Sequence, residues 1–111
     1  MQKNLEYKNA NLVECRKFIV REENMMIEII FDKEKNRAIA YDNTIQVGEC
    51  DFLETEDCWN ITHTEVDSNY QGQGIARKLV ECIIENAKKE NKKLIAQCSY
   101  AKKVLEKYGK N

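Results

Sequence analysis

The feature that most constrains this chain is a junction. A strand-like run over residues 58–66 breaks at Asp67-Ser68-Asn69-Tyr70, passes Gln71-Gly72-Gln73-Gly74, and enters a helical pattern at Ile75. Glycine at 72 and 74 lets the backbone turn tightly and approach a ligand with no Cβ in the way. The free N–H groups that open a helix point outward, with the positive end of its dipole behind them. Such a junction is built to hold an anion, which makes an anionic cofactor the leading expectation.

Periodicity supplies the rest of the unit. Ile75, Leu79, Val80, Ile83, Ile84 and Ala87 recur at three- and four-residue spacing, with Arg77, Lys78, Glu81, Glu85 and Lys88 elsewhere on the wheel. That is one amphipathic helix over about residues 74–90. Residues 94–98 then read as a short returning strand, so a strand, a helix and a parallel strand follow one another. Ala101, Val104, Leu105 and Tyr108 place a second, shorter helix over about 100–107. Upstream, residues 25–31, 37–41, 44–52 and 58–66 are apolar or alternating runs separated by Asp, Asn, Glu and Lys clusters, the pattern of an antiparallel meander. Residues 1–24 stay open: Leu12, Cys15 and Ile19 fit a helical face, while 17–21 fit a strand equally well. The fold class is α+β.

A chain of 111 residues with 42% hydrophobic content makes a single domain, 1–111, with a modest core. No stretch resembles a signal peptide or a membrane span, so a soluble, cytoplasmic protein is expected. The five cysteines lack any CxxC spacing, which suits neither a disulfide framework nor a metal site; reduced thiols are the simplest expectation. Charge is divided unevenly. Residues 1–66 carry 8 basic and 14 acidic side chains, and residues 67–111 carry 10 basic and 5 acidic. A basic half bearing the turn suits a polyanionic cofactor, and an acidic half suits an amine-bearing partner. Nucleic-acid binding is not expected, because the basic residues are not interleaved with aromatics.

Two phosphate motifs fail on particular residues. A Walker loop needs Gly-Lys-Ser/Thr, whereas Gly74 is followed by Ile75 and Ala76; a dinucleotide fingerprint needs a third small residue where Arg77 stands, and an acid where the next strand ends in Gln97-Cys98. Gln71-x-x-Gly74-x-Ala76 between a strand and a helix instead resembles the acyl-coenzyme A motif (Q/R-x-x-G-x-G/A) of the GNAT acetyltransferase superfamily. Together with Ile61-Thr62-His63-Thr64-Glu65-Val66 and Cys98-Ser99-Tyr100-Ala101, it is similar to the minimal, YjdJ-like branch of that superfamily. The resemblance covers roughly residues 58–108. It implies a mixed, mainly antiparallel sheet, a cofactor-binding helix after the fourth central strand, a short C-terminal helix, and strands that splay around the motif helix to admit a pantetheine arm.

The resemblance further implies acetyl-coenzyme A as cofactor. Its pyrophosphate would meet the backbone of Gln71, Gly72, Gln73, Gly74, Ile75, Ala76 and Arg77, and its pantetheine amides would pair with the strand edge at Thr64, Glu65 and Val66. Transfer to an amine, on a small molecule or a protein, is the implied activity. In many relatives the last helix carries a tyrosine that protonates the departing thiolate, and Leu105 stands at that place here, leaving Tyr100 and Tyr108 as replacements. Cys98, near where the cofactor sulfur would lie, is a candidate acyl acceptor. His63 and Glu65, two residues apart and so on one face of a strand, are candidate bases for the acceptor ammonium. Two other readings share these residues: a noncatalytic acyl-coenzyme A-binding or partner-regulated module, and a cysteine-based acyl carrier or thioesterase-like protein.

Overall fold

Alternation of apolar residues gives the central strands one face to bury, and the periodic helix supplies the surface that covers it. The computed structural model describes residues 12–20 and 25–108, with side chains from residue 26 onward. Six strands form one sheet in chain order: β1 (Leu12–Val20), β2 (Met25–Asp32), β3 (Arg37–Asp42), β4 (Ile45–Glu54), β5 (Cys58–Val66) and β6 (Lys93–Ala96). β1 to β5 are antiparallel, and β6 runs parallel to β5. Helix α1 (Ile75–Lys89) connects β5 to β6, and α2 (Ser99–Tyr108) follows β6. The fourth predicted strand does lead into the motif helix. The segment compatible with either helix or strand forms β1; residues 1–11 and 21–24 lie outside the described residues.

All six apolar positions read on the α1 wheel are buried. They cover a core in which the rings of Phe31, Phe52 and Trp59 stack, the closest pair being Phe52 and Trp59 at 4.4 Å. Cys50, Cys58 and Cys98 are free thiols. Cys82, buried on α1, is disulfide-bonded to a partner outside the described side chains, which corrects the expectation of a wholly reduced set. Spacing along the chain does not report which elements cross a helix. Among the described residues, no helix is long and apolar enough to cross a membrane.

Two details of β5 position everything that follows. Asp51 pairs with His63 and Phe52 with Ile61, so Thr62 is an extra residue, a bulge. Trp59 and Ile61 face the core before it, and the alternation then shifts so that Thr64 and Val66 face the helices. The second detail is where β6 stops. Its pairing with β5 ends at Ile61↔Ala96, and the Ile61 carbonyl accepts the N–H groups of both Gln97 (2.9 Å) and Cys98 (3.0 Å). The strand expected to reach Cys98 therefore ends at Ala96, because the chain is already turning into α2.

Gly48 on β4 is where α1 sits closest to the sheet. A Cβ there would meet the Glu65 carbonyl oxygen at 3.1 Å, Val66 Cγ2 at 3.2 Å and Leu79 Cδ1 at 3.3 Å. Gly48→Val should therefore lower stability by about 1–3 kcal/mol through overpacking, read as a lower urea midpoint, with Gly48→Ala falling between. A midpoint equal to wild type would show that β4 and α1 separate freely at this point.

Candidate functional site

Once β6 has turned away, residues 62–66 have, among the described residues, a strand neighbour only in β4, and a cleft of about 460 Å³ opens beside them. It is lined by Thr64 and Val66 of β5, by Tyr70, Gln71, Gly72 and Gly74 of the turn, by Ile75 and Ala76 of α1, and by Tyr100 of α2. Local bonds build the turn. Asp67 accepts the Asn69 N–H at 2.9 Å, and the Tyr70 hydroxyl donates to Asp42 Oδ2 on β3 at 2.8 Å. Gly72 and Gly74 have φ of +80° and +83°, a region that disfavours other residues.

An anionic group fits this turn on two observations. No heavy atom lies within 4 Å of where a Cβ would stand on Gly72 or Gly74, so the space above both is open. Gly74 caps α1 without a side-chain hydrogen bond, and the first turn holds no acidic residue. The opening amides of α1 thus keep their donors for a ligand. Of the residues expected to hold the cofactor, Thr64, Val66, Gln71, Gly72, Gly74, Ile75 and Ala76 line the cleft, and Gln73 and Arg77 do not. Arg77 has rotated off it: its Nε pairs with Glu81 Oε2 at 3.0 Å, and it lines a separate groove with Tyr100, Lys103, Val104 and Lys107. The strand edge is also shorter than expected, because Gln71 Nε2 donates to the Val66 carbonyl at 3.1 Å.

Cys98 stands between the end of β6 and α2, in the position of a helix cap, and its carbonyl accepts the Lys102 N–H at 3.0 Å. Its Sγ lies 3.6 Å from Thr64 Oγ1. Partial burial works to raise the thiol pKa. Hydrogen bonds from the backbone of Ala101, the Thr64 hydroxyl and the backbone of Tyr100 and Thr64 outweigh it, so the net shift is downward. Donors from α2 and β5 thus converge on one sulfur.

His63 and Glu65 do share a face, with His63 Nε2 3.1 Å from Glu65 Oε1, but strand alternation puts that face opposite the one Thr64 presents to the cleft, and the bulge before them is what turns Thr64 rather than His63 toward the helices. Register adds Glu49, directly across from Glu65, whose Oε2 is 4.0 Å from His63 Nε2. The donor atoms of Glu49, His63 and Glu65 lie within 4.8 Å of one another, a grouping that no sequence spacing announces. Arg37 supplies a positive charge beside them, 3.5 Å from Glu49 and 2.9 Å from Asp51. Tyr100 lines the cleft; burial pushes its phenol up, Arg77 acts to lower it and Glu81 to raise it further. Tyr108 lies elsewhere, in a groove with Leu105, beneath the Lys88 ammonium at 4.6 Å. The sequence reading missed Tyr70, Glu49 and Cys50 as parts or neighbours of the site. Tyr70 adjoins the motif and was within reach, whereas the other two depend on cross-strand register.

A profile of the GCN5-related N-acetyl-transferase family matches residues 37–110. Among solved structures, a GCN5-like protein from Staphylococcus aureus is 34% identical, with a TM-score of 0.55 over 68% of this chain and 76% of that one. The ribosomal-protein-alanine N-acetyltransferase of Brucella melitensis biovar Abortus 2308 is 18% identical, with a TM-score of 0.53 over 70% of this chain. The match spans 66% of that enzyme's length, just under two thirds, and at this identity bears on the fold alone. No curated protein matches the chain.

The lowered pKa of Cys98 has a direct readout. Its alkylation by iodoacetamide should rise with pH through a midpoint below the ordinary thiol value of about 8.5, and reactivity should be lost as pH falls through that midpoint. At neutral pH Cys98 should react ahead of half-buried Cys58 and buried Cys50. A Cys98 profile coincident with that of free cysteine would mean that the converging donors do not hold a thiolate.

Proposed function

The chain belongs to the GCN5-related N-acetyltransferase family, and we propose that it binds acetyl-coenzyme A in the cleft beside β5 and transfers the acetyl group to an amine by way of Cys98. The observation that carries this reading is a sulfur held by converging donors, 3.6 Å from the hydroxyl of Thr64, a residue that lines the same cleft as the glycine turn. When bound, acetyl-coenzyme A supplies an activated acetyl thioester. The amides opening α1 would hold its pyrophosphate, Gly72 and Gly74 would leave room for close approach, and the edge of β5 at Thr64 would pair with the pantetheine. The Cys98 thiolate, favoured by the first-turn amides of α2, would take the acetyl carbon as the original thioester C–S bond breaks and the coenzyme A thiolate leaves, and a neutral amine would then displace the acetyl group and return Cys98 to its thiolate. The acceptor ammonium must first lose a proton to become nucleophilic. His63, hydrogen-bonded to Glu65, stands on the face of β5 turned away from Thr64, so that proton would leave to solvent rather than to the imidazole.

A noncatalytic acyl-coenzyme A-binding module is the second reading, favoured by Leu105 at the place of the usual tyrosine and by the removal of Tyr108 to a different groove. Mass spectrometry after incubation with acetyl-coenzyme A, followed by turnover with a panel of amines, separates the two. Acetyl transfer through Cys98 requires a hydroxylamine-sensitive adduct on that residue and loss of turnover in Cys98→Ala with binding retained. Binding without adduct or turnover favours the module.

The turn is tested by calorimetry. Gly74→Glu should weaken coenzyme A binding by on the order of a hundredfold through bulk and like charge at the helix opening. Gly74→Ala, which carries only the strain of the positive φ, should lose far less. Unchanged affinity in a folded Gly74→Glu protein would remove the turn from the binding site.

A further inference from the structure

The Thr64 hydroxyl lies between two sulfurs, 3.6 Å from Cys98 Sγ and 3.4 Å from Cys50 Sγ. The three residues come from different elements: Cys50 sits on β4 directly opposite Thr64 on β5, and Cys98 precedes α2. Cys50 is fully buried and plays no part in the chemistry above. A hydroxyl has one hydrogen to give. While Cys98 is a thiol, its S–H donates to Thr64 Oγ1, and the Thr64 hydrogen goes to Cys50. Once Cys98 has lost its proton to solvent or a base it can only accept, so the Thr64 hydrogen must turn toward it. The Thr64 oxygen then needs a new donor, and the Cys50 S–H is in place to be that donor. Thr64 and Cys50 keep their own protons, and only the directions of their hydrogen bonds reverse.

We propose that Thr64 and Cys50 are positioning residues acting in series, a hydroxyl backed by a buried thiol, which direct a hydrogen bond onto the Cys98 thiolate. The arrangement works only if Cys50 stays protonated while Cys98 ionises. Burial, the dominant effect, pushes the Cys50 thiol up to about 12, with the neighbouring charges of Cys98 and Asp51 acting in the same direction. The other titratable neighbour is Tyr100 on α2, which faces Arg77 and Glu81 of α1. Substitution at residue 64 or 50 leaves those groups in place. Only the use of the thiolate in acetyl transfer rests on the function proposed above; the hydrogen-bond chain does not.

The test is the pH profile of Cys98 alkylation by iodoacetamide, read peptide by peptide in wild type, Thr64→Val, Thr64→Ser, Cys50→Ala and Cys50→Ser. Thr64→Val should raise the midpoint by about one pH unit, making Cys98 about tenfold less reactive near neutrality, and Thr64→Ser should restore it. Cys50→Ala should raise the midpoint by a smaller amount, and Cys50→Ser, which keeps a donor of similar size, should not; it also stands in if the alanine variant fails to fold. A Thr64→Val profile that superimposes on wild type overturns the proposal. A shift in Thr64→Val with none in a folded Cys50→Ala overturns the series and leaves Thr64 acting alone. Calorimetry with acetyl-coenzyme A on the same wild-type protein keeps the two claims apart: absence of binding there counts against the proposed function and leaves the alkylation result standing.

Discussion

The amides of Gln97 and Cys98 converge on the carbonyl of Ile61, and that shared acceptor is the last rung of the β5–β6 ladder. A carbonyl oxygen has two lone pairs, so both bonds form, and they turn the chain away from the sheet within one residue. β5 continues for five more residues with β4 as its only strand neighbour among the described residues. An unpaired strand edge inside a folded domain is normally covered or blunted. Here α1 and α2 both begin beside it, so the edge, the glycine turn and two helix openings share one cleft.

The same turn determines the surroundings of Cys98. A residue placed just before a helix receives the first-turn N–H groups, a position usually held by Ser, Thr, Asp or Asn. With a cysteine there, the donors act on a sulfur, and Thr64 reaches it from the strand side. Hydrogen bonds from the backbone of Ala101 and Tyr100 and from Thr64 favour the thiolate. The opposite face of β5 has a different character. Glu49, Glu65 and His63 gather there beside Arg37, and the sheet itself separates that acidic face from the donors around the sulfur.

Much of this was legible because it is local. The six apolar positions of the helix wheel from Ile75 to Ala87 are all buried, since a 3.6-residue period and a core on one side leave little choice, although buried Cys82 was not among them. The turn was legible because Gly72 and Gly74 adopt backbone angles that few other residues tolerate. The β1 segment was ambiguous because its few apolar residues satisfy both periods, and pairing with β2 decides between them. Arg77 was placed with the turn by proximity in sequence, but helical rotation carries it to another groove. Cys50 gave no sign of its neighbour, because its position opposite Thr64 depends on the register of two strands.

The sequence by itself determined the order of elements from β2 onward, the buried face of α1 and the glycine turn between β5 and α1, because each is set by a backbone preference or a short period within a few residues. Only the tertiary structure decided which residues meet. The bulge at Thr62 turned Thr64 rather than His63 toward the helices, the Ile61 carbonyl ended β6 in time to cap α2 with Cys98, and strand register set Cys50 behind Thr64 and Glu49 opposite Glu65. The physical reason is that a one-residue change in pairing reverses every side chain beyond it, and that choice is made by long-range hydrogen bonds and packing which no local pattern encodes.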